Sequence, residues 1–292
     1  HRNMSDPRLE KYGWERKTMI SVLQEMLSYP FLTRALLVGF LVSLCAALLG
    51  VSLVLKRYSM IGDGLSHVGF GTLSVATALG VAPLKLTIPV VVAAAFLLLQ
   101  LSESAKIKGD SAIAMISSGA LAIGVMTVSM TTGMNMEVYN YMFGSILSVS
   151  TEDARLSVVL SIAVLILFLI FYNRIFAITF DETFAKATGT KVKIYNMIIA
   201  FLTAITIVLG MRMMGAMLIS SLIIFPALTS MQVFKKFLSV VISAAVLSVG
   251  CFLTGMIFSY VYSTPSGATV VCINIIMFVV FTIVGKLMHG TK

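Results

Sequence analysis

Two ionisable residues, Asp63 and His67, stand four positions apart in residues 58–80, a segment otherwise made of apolar or small residues. Positions i and i+4 lie on the same face of an α-helix, so the carboxylate and the imidazole can reach one point. Ionisable side chains inside a membrane are costly and commonly mark the path of an ion or a substrate. A carboxylate oxygen and an imidazole nitrogen are also ligands that suit zinc and other first-row divalent metals. We therefore take Asp63 and His67 as candidate metal contacts.

The residues alone leave other roles open for this pair. Asp63 and His67 could bond to each other, or to a backbone group, and steady a kinked helix. They could also relay protons in a secondary metal transporter driven by an ion gradient, although no inverted repeat carries a second ionisable pair. Ser66 beside His67 lacks the nucleophile-elbow motif of a serine hydrolase. The chain also lacks the HExxH motif of a metalloprotease.

Composition places these residues in a membrane protein. Of the 292 residues, 59% are hydrophobic and only 11% are charged, and the mean hydropathy is +1.01. Apolar runs of about 20 residues are long enough to cross the hydrocarbon core as helices. Such runs occupy most of the chain and leave no room for a separate soluble catalytic domain. The net charge of +9 comes from basic residues in short loops, so it indicates membrane orientation rather than a nucleic-acid partner.

The pattern predicts an all-α polytopic membrane protein with about eight or nine transmembrane helices. The third span is short, and residues 133–150 are predicted to form a broken or re-entrant element. A turn at residues 263–267 (STPSG) separates the last two spans. The predicted spans are residues 31–55, 59–79, 86–101, 112–132, 155–172, 194–211, 214–233, 237–262 and 268–287.

Basic residues accumulate in cytoplasmic loops and so give the orientation. If nine spans alternate, the basic clusters that follow the first, third, fifth, seventh and ninth spans share one side, which is the cytoplasm. We expect residues 1–30 to form a polar N-terminal arm, partly foreign to the native protein, that ends in an interfacial helix. Residues 31–287 then form the transmembrane domain. The clusters are Lys56/Arg57, Lys106/Lys108, Lys186/Lys191/Lys193, Lys235/Lys236 and Lys286.

Within that domain, residues 174–193 form a polar cytoplasmic segment with the features of a short helix. FDETFAKATGTK has acidic residues at its start and lysines toward its end, the charge order that suits a helix dipole. Gly189 then offers a helix stop. A short helix between spans can receive motion from a soluble partner, or it can be an ordinary interfacial loop.

These motifs, taken together, resemble the permease subunits of bacterial zinc- and manganese-type ABC importers over residues 31–285. The metal pair lies in GDGLSHV, where the family pattern is roughly GDAxSHA, so Gly64 and Val68 are substitutions that leave both ligands intact. The DGLSHVGFG version is similar to family members assigned to zinc. Zinc is therefore the first candidate for the transported ion, and manganese is the second. The other resembling segments, in order, are YNYMFGSILSVS, FDETFAKATGTK, MMGAMLISSLIIFPALTSM and STPSGATVV.

The resemblance implies a multi-pass subunit in the bacterial cell membrane that carries Zn²⁺ or Mn²⁺ as cargo and has no permanently bound cofactor. Its implied partners are a cytoplasmic ABC ATPase dimer, a second copy of the permease, an extracellular metal-binding protein and membrane lipid, with no nucleic acid. The chain has no GxxxxGK[ST] phosphate loop, so ATP hydrolysis is assigned to the ATPase and not to this chain. The residues implied to couple to the ATPase are Phe180, Asp181, Glu182, Phe184, Ala185 and Gly189.

Overall fold

The structure is a computed structural model that describes residues 25–103, 109–131, 144 and 151–289. Within these residues all regular secondary structure is helical, which confirms the predicted all-α class. We number the helices in chain order: α1 (Pro30–Leu55), α2 (Ser59–Ala78), α3 (Pro83–Glu103), α4 (Gly109–Thr131), α5 (Thr151–Phe180), α6 (Glu182–Ala187), α7 (Val192–Met214), α8 (Ala216–Val233), α9 (Phe237–Tyr262) and α10 (Ser266–His289).

Eight of the described helices are long and apolar enough to cross a membrane. The two others are α6, which has 6 residues, and α2, which has 20. The second helix is long enough to span, but its glycines, serines and Asp63 make it less apolar than the rest. The predicted count of eight or nine spans is therefore confirmed, and the helix that carries the candidate metal pair is the least apolar of the long helices.

Several helices are longer than the hydrophobic pattern predicts, and α3 and α5 show the reasons. The third helix begins at Pro83, three residues before the predicted start at residue 86, because proline is well tolerated in the first turn of a helix. The fifth helix continues to Phe180, beyond the predicted end at residue 172, because apolar residues recur past Arg174. Of the predicted N-terminal arm, residues 25–28 are helical and residues 1–24 lie outside the described part. The predicted element at residues 133–150 also lies outside it, apart from Gly144.

The basic clusters that the structure describes lie at one end of the bundle. Helices α1 and α8 run side by side in the same direction, because Gly39 lies near Met214 and Gly50 lies against the backbone of Ile223. The basic residues that follow these two helices therefore lie at the same end. The ends of α8 and α10 meet where Gly285 lies against Gln232. Lys56, after α1, reaches Glu182 on α6. The positive-inside rule therefore assigns this end to the cytoplasm, as predicted.

The second helix is held close to its neighbours by small residues. A side chain on Gly71 would lie 2.5 Å from the carbonyl oxygen of Ala120 on α4, so the two backbones approach as closely as only glycine permits. Its partners α3, α4, α7 and α8 surround much of its length. One face of α2, the face that carries Asp63 and His67, remains open beside α8. The packing thus fixes the helix while leaving its ionisable face accessible.

Candidate metal site and cytoplasmic segment

Asp63 and His67 are brought together on one face of α2, as their spacing predicts. The Nε2 atom of His67 lies 3.7 Å from Oδ2 of Asp63. This is longer than a hydrogen bond, so the two side chains do not satisfy each other. Two atoms that each bind one zinc ion at about 2.1 Å can be at most about 4.2 Å apart, so the observed separation allows both to reach one ion. The His67 and Asp63 side chains are 26% and 42% exposed.

The pair opens into a groove of about 350 Å³ between α2 and α8. The eighth helix starts immediately after Gly215, whose φ of +87° turns the chain sharply between α7 and α8. This turn places the first three turns of α8 opposite Asp63 and His67. The groove is lined by Asp63, Ser66, His67, Ala216, Met217, Ser220, Ser221, Ile224 and Phe225.

Serine hydroxyls connect the two walls of the groove. Ser66 donates a hydrogen bond to the carbonyl oxygen of Asp63 at 2.7 Å, and its hydroxyl accepts one from Ser220 at 3.1 Å. Ser220 and Ser221 were not among the site residues predicted from the sequence. Their signal was present, because residues 217, 221 and 225 and residues 216, 220 and 224 repeat at helical spacing along one face. Two adjacent serines on an otherwise apolar helix face would have marked this wall.

The described part of one chain has too few ligand side chains for a closed metal site. In the described residues no group of three or more His, Cys, Asp or Glu side chains could hold an ion. Structural zinc sites use four protein ligands, whereas sites that exchange ligands keep open positions. The groove therefore offers two candidate ligands, Asp63 and His67, with room for water or for groups from another chain.

The cytoplasmic segment forms the short helix that the charge order predicts. Asp181 is its N-cap, and Oδ1 of this residue accepts a hydrogen bond from the backbone N–H of Phe184 at 2.8 Å. Glu182 lies in the first turn and Lys186 in the last, which suits the helix dipole. Gly189 has φ +83°, a conformation that favours glycine, and ends the segment as expected.

The residues of this segment divide into an outward and an inward set. Phe180 and Phe184 are 68% and 66% exposed, so two large aromatic side chains face away from the chain. Ala185 is buried at 1% exposure and packs into the main hydrophobic core. Ala185 therefore anchors the helix to the bundle, and the two phenylalanines form the outward surface. The coupling role of the segment remains a prediction.

Lys56 ties this segment to the rest of the bundle. Its Nζ donates to Oε2 of Glu182 at 2.9 Å and to Oδ1 of Asn196 at 2.6 Å. The Lys56 side chain is only 5% exposed. The interaction joins α1, α6 and α7 at the point where the chain enters α2. No local pattern indicates it, because Glu182 lies 126 residues from Lys56 in the sequence.

Comparisons with known proteins agree with this architecture. The sequence model of the ABC 3 transport family matches residues 28–285. The chain is 30% identical over 251 residues to the high-affinity zinc uptake system membrane protein ZnuB of Haemophilus influenzae, covering 86% of this chain and 96% of that protein. It is 26% identical over 254 residues to the manganese transport system membrane protein MntC of Halalkalibacterium halodurans, covering 87% of each.

A solved structure has the same fold. The chain superposes on PsaBC from Streptococcus pneumoniae in complex with Fab with a TM-score of 0.81 and 24% sequence identity. The match covers 90% of this chain and 95% of that one. With its membrane-spanning helices and a family match over nearly its whole length, this multi-pass protein of the bacterial plasma membrane belongs to the ABC 3 transport family.

Proposed function

We propose that this chain is the permease subunit of an ATP-driven importer that moves a divalent metal ion, zinc in preference to manganese, into the cell. The observation that carries the proposal is the open groove between α2 and α8, into which Asp63 and His67 face. Family membership supports ATP as the energy source, and the relatives named above are zinc and manganese transport proteins. For the same reason, the alternative of an ion-gradient-driven transporter with Asp63 and His67 as a proton relay is not favoured.

In this proposal a second copy of the chain supplies the ligands that complete the metal site. Homo-oligomers commonly use two-fold symmetry, which places the same face of both copies opposite itself. Two grooves facing each other would bring two Asp63–His67 pairs to one axis, enough for the four ligands that zinc prefers. The exposure of Asp63 and His67 in the single chain supports this arrangement.

The proposed partners divide the work of transport. A cytoplasmic ABC ATPase dimer hydrolyses ATP and docks on the outward surface of Phe180 and Phe184. An extracellular metal-binding protein delivers the ion at the opposite end. The permease has no catalytic residues of its own, since its contribution is to bind the ion briefly and to change which side of the membrane the groove faces.

Zinc is favoured over manganese on the residues of the groove. Imidazole nitrogen and mixed nitrogen–oxygen sites suit zinc, whereas manganese prefers oxygen-rich ligand sets. One chain contributes one imidazole for each carboxylate, with serine hydroxyls as the other nearby polar groups.

The test is metal uptake by the transporter reconstituted in vesicles, measured separately for zinc and manganese with ATP present or absent. We expect Asp63→Asn and His67→Gln each to reduce uptake at least tenfold while the complex still assembles. Asp110→Asn, which changes an exposed carboxylate on α4, is the matched control. Wild-type uptake in either groove variant would overturn the assigned path. Uptake without ATP would favour the ion-gradient alternative, and faster manganese uptake would reverse the proposed preference.

A further inference from the structure

A second cavity, of about 350 Å³, lies on the side of the bundle at its cytoplasmic end, away from the metal groove. One wall comes from α5, with Phe171 and Arg174. The other comes from the loop before α7 and its first two turns, with Lys191 and Tyr195. Phe171 and Tyr195 meet edge to face, with ring centroids 5.9 Å apart, and so join the two walls of the cleft. The cleft is therefore lined by aromatic and aliphatic side chains together with two cationic ones.

Arg174 and Lys191 have no acidic partner in the part of the chain that the structure describes. No described carboxylate lies within salt-bridge distance of either side chain, although other basic residues nearby, such as Lys56, are paired. Both residues are exposed. Two neighbouring cations without a counter-charge create a local positive potential that attracts an anion.

The position of the cleft relative to the bilayer narrows the identity of that anion. The fifth helix has 30 residues and a length of about 45 Å, well over the hydrocarbon thickness of about 30 Å. Between Arg155 and Arg174 it has no charged residue, and this stretch matches the hydrocarbon core. Arg174 therefore lies at the level of the cytoplasmic head groups. Basic pockets between transmembrane helices at this level are suited to anionic lipid head groups.

The surface that leads from the cleft into the membrane is apolar. Ile170 and Ile166 precede Arg174 by one and two helical turns, so all three lie on one face of α5. The two isoleucines are 66% and 51% exposed. A molecule with an anionic head and a long apolar chain fits this face better than a free phosphate ion, which would use only the cationic rim.

We propose that this cleft binds an anionic phospholipid, with its phosphate between Arg174 and Lys191 and an acyl chain along Ile170 and Ile166. The loop wall of the cleft includes Gly189 and Thr190, which lie just after α6 in the cytoplasmic segment. A bound lipid would therefore brace the cytoplasmic segment against α5. The inference concerns lipid binding by this chain and does not depend on which ion is transported.

The experiment is native mass spectrometry of the assembled transporter after exchange into micelles with either phosphatidylglycerol or phosphatidylcholine. We expect phosphatidylglycerol to remain bound and phosphatidylcholine to be lost. Arg174→Gln combined with Lys191→Gln should reduce retained phosphatidylglycerol at least fivefold, and Arg174→Lys should preserve it. Lys235→Gln with Lys236→Gln, which removes two exposed cations from another cytoplasmic loop, is the matched control.

Three outcomes would overturn the proposal. Equal retention of the two lipids would show that charge plays no part. Complete displacement of phosphatidylglycerol by millimolar inorganic phosphate would make the cleft a phosphate site. Loss of the ATPase subunit from the Arg174→Gln, Lys191→Gln variant in lipid-free detergent would make it a protein-docking surface. Because lipid retention is measured without transport, a failure here would leave the proposed import function standing.

Discussion

Charge reversal at Glu182 should release the short helix α6 from the bundle. With 6 residues this helix is too short to be stable alone, so its position depends on its contacts with the rest of the chain. These contacts are the Asp181 cap, the buried Ala185 and the bond from Lys56 to Glu182 at 2.9 Å. Glu182→Lys removes the bond from Lys56 to residue 182 and places two ammonium groups opposite each other.

The loss of docking free energy can be estimated from the distance between the two side chains and from their exposure. Two like charges about 4 Å apart repel by about 4 kcal/mol at an effective dielectric constant of ~20. Glu182 is 48% exposed, so a lysine there can swing toward water and avoid much of this repulsion. We therefore expect a loss of about 2 kcal/mol, which lowers the ratio of docked to undocked α6 about 30-fold at about 1.4 kcal/mol per tenfold change.

Two assays detect this change. Chymotrypsin should cut at Phe180 and Phe184 much faster in Glu182→Lys, because cleavage follows the population of the undocked state. Uptake per ATP hydrolysed by the reconstituted transporter should also fall. Restoring the pair with opposite polarity, Lys56→Glu with Glu182→Lys, should recover most of both properties, since the Asn196 amide can then donate instead of accept. The control is Glu152→Lys, which reverses the charge of an exposed residue at the other end of the bundle. Unchanged cleavage in Glu182→Lys, or no recovery in the exchanged variant, would refute the reasoning.

Three further predictions test other parts of the structure. Phe184→Ala should weaken co-purification of the ATPase at least tenfold, whereas Tyr262→Ala, equally exposed but at the opposite end, should not; equal effects would remove α6 as the docking surface. Gly50→Ala should destabilise the fold by about 3 kcal/mol, because its methyl group would meet the backbone of Ile223, whereas Gly250→Ala faces open space and should be neutral in thermal unfolding. The permease chain purified alone as a monomer, with chelator, should retain far less than one zinc per chain, since the two ligands of one chain bind far more weakly than a four-ligand structural site; stoichiometric zinc at Asp63 and His67 would indicate a structural metal.

The sequence predicts well the helical class, the approximate number of spans and the proximity of Asp63 to His67, because each depends on local pattern. Apolar length marks the spans, and the i, i+4 spacing alone places Asp63 beside His67. The helix ends are predicted less well. Pro83 is compatible with both a turn and a helix start, and Arg174 does not end α5 because a long side chain at the membrane surface can extend toward water.

What the sequence could not predict depends on contacts between distant residues. The pairing of Lys56 with Glu182 and Asn196 requires α1, α6 and α7 to meet, and no local pattern encodes that meeting. The burial of Ala185 has the same origin: the spacing of α6 shows which residues share a face, but only its packing against the bundle decides which face is inside. The wall of the groove formed by α8 likewise follows from the turn at Gly215.

The connection between α1 and α2 explains how movement of α6 could reach the metal pair. Lys56, held by Glu182, is followed by Arg57, which has φ +60°, an unfavourable conformation for a residue with a side chain. The N–H of Tyr58 bonds back to Leu53 at 2.7 Å, and the Lys56 ammonium lies 5.5 Å from the centre of the Tyr58 ring. Such a short, bonded turn has little freedom to absorb displacement. A shift of α6 is therefore expected to move the first turns of α2, where Asp63 lies, rather than be lost in a flexible loop.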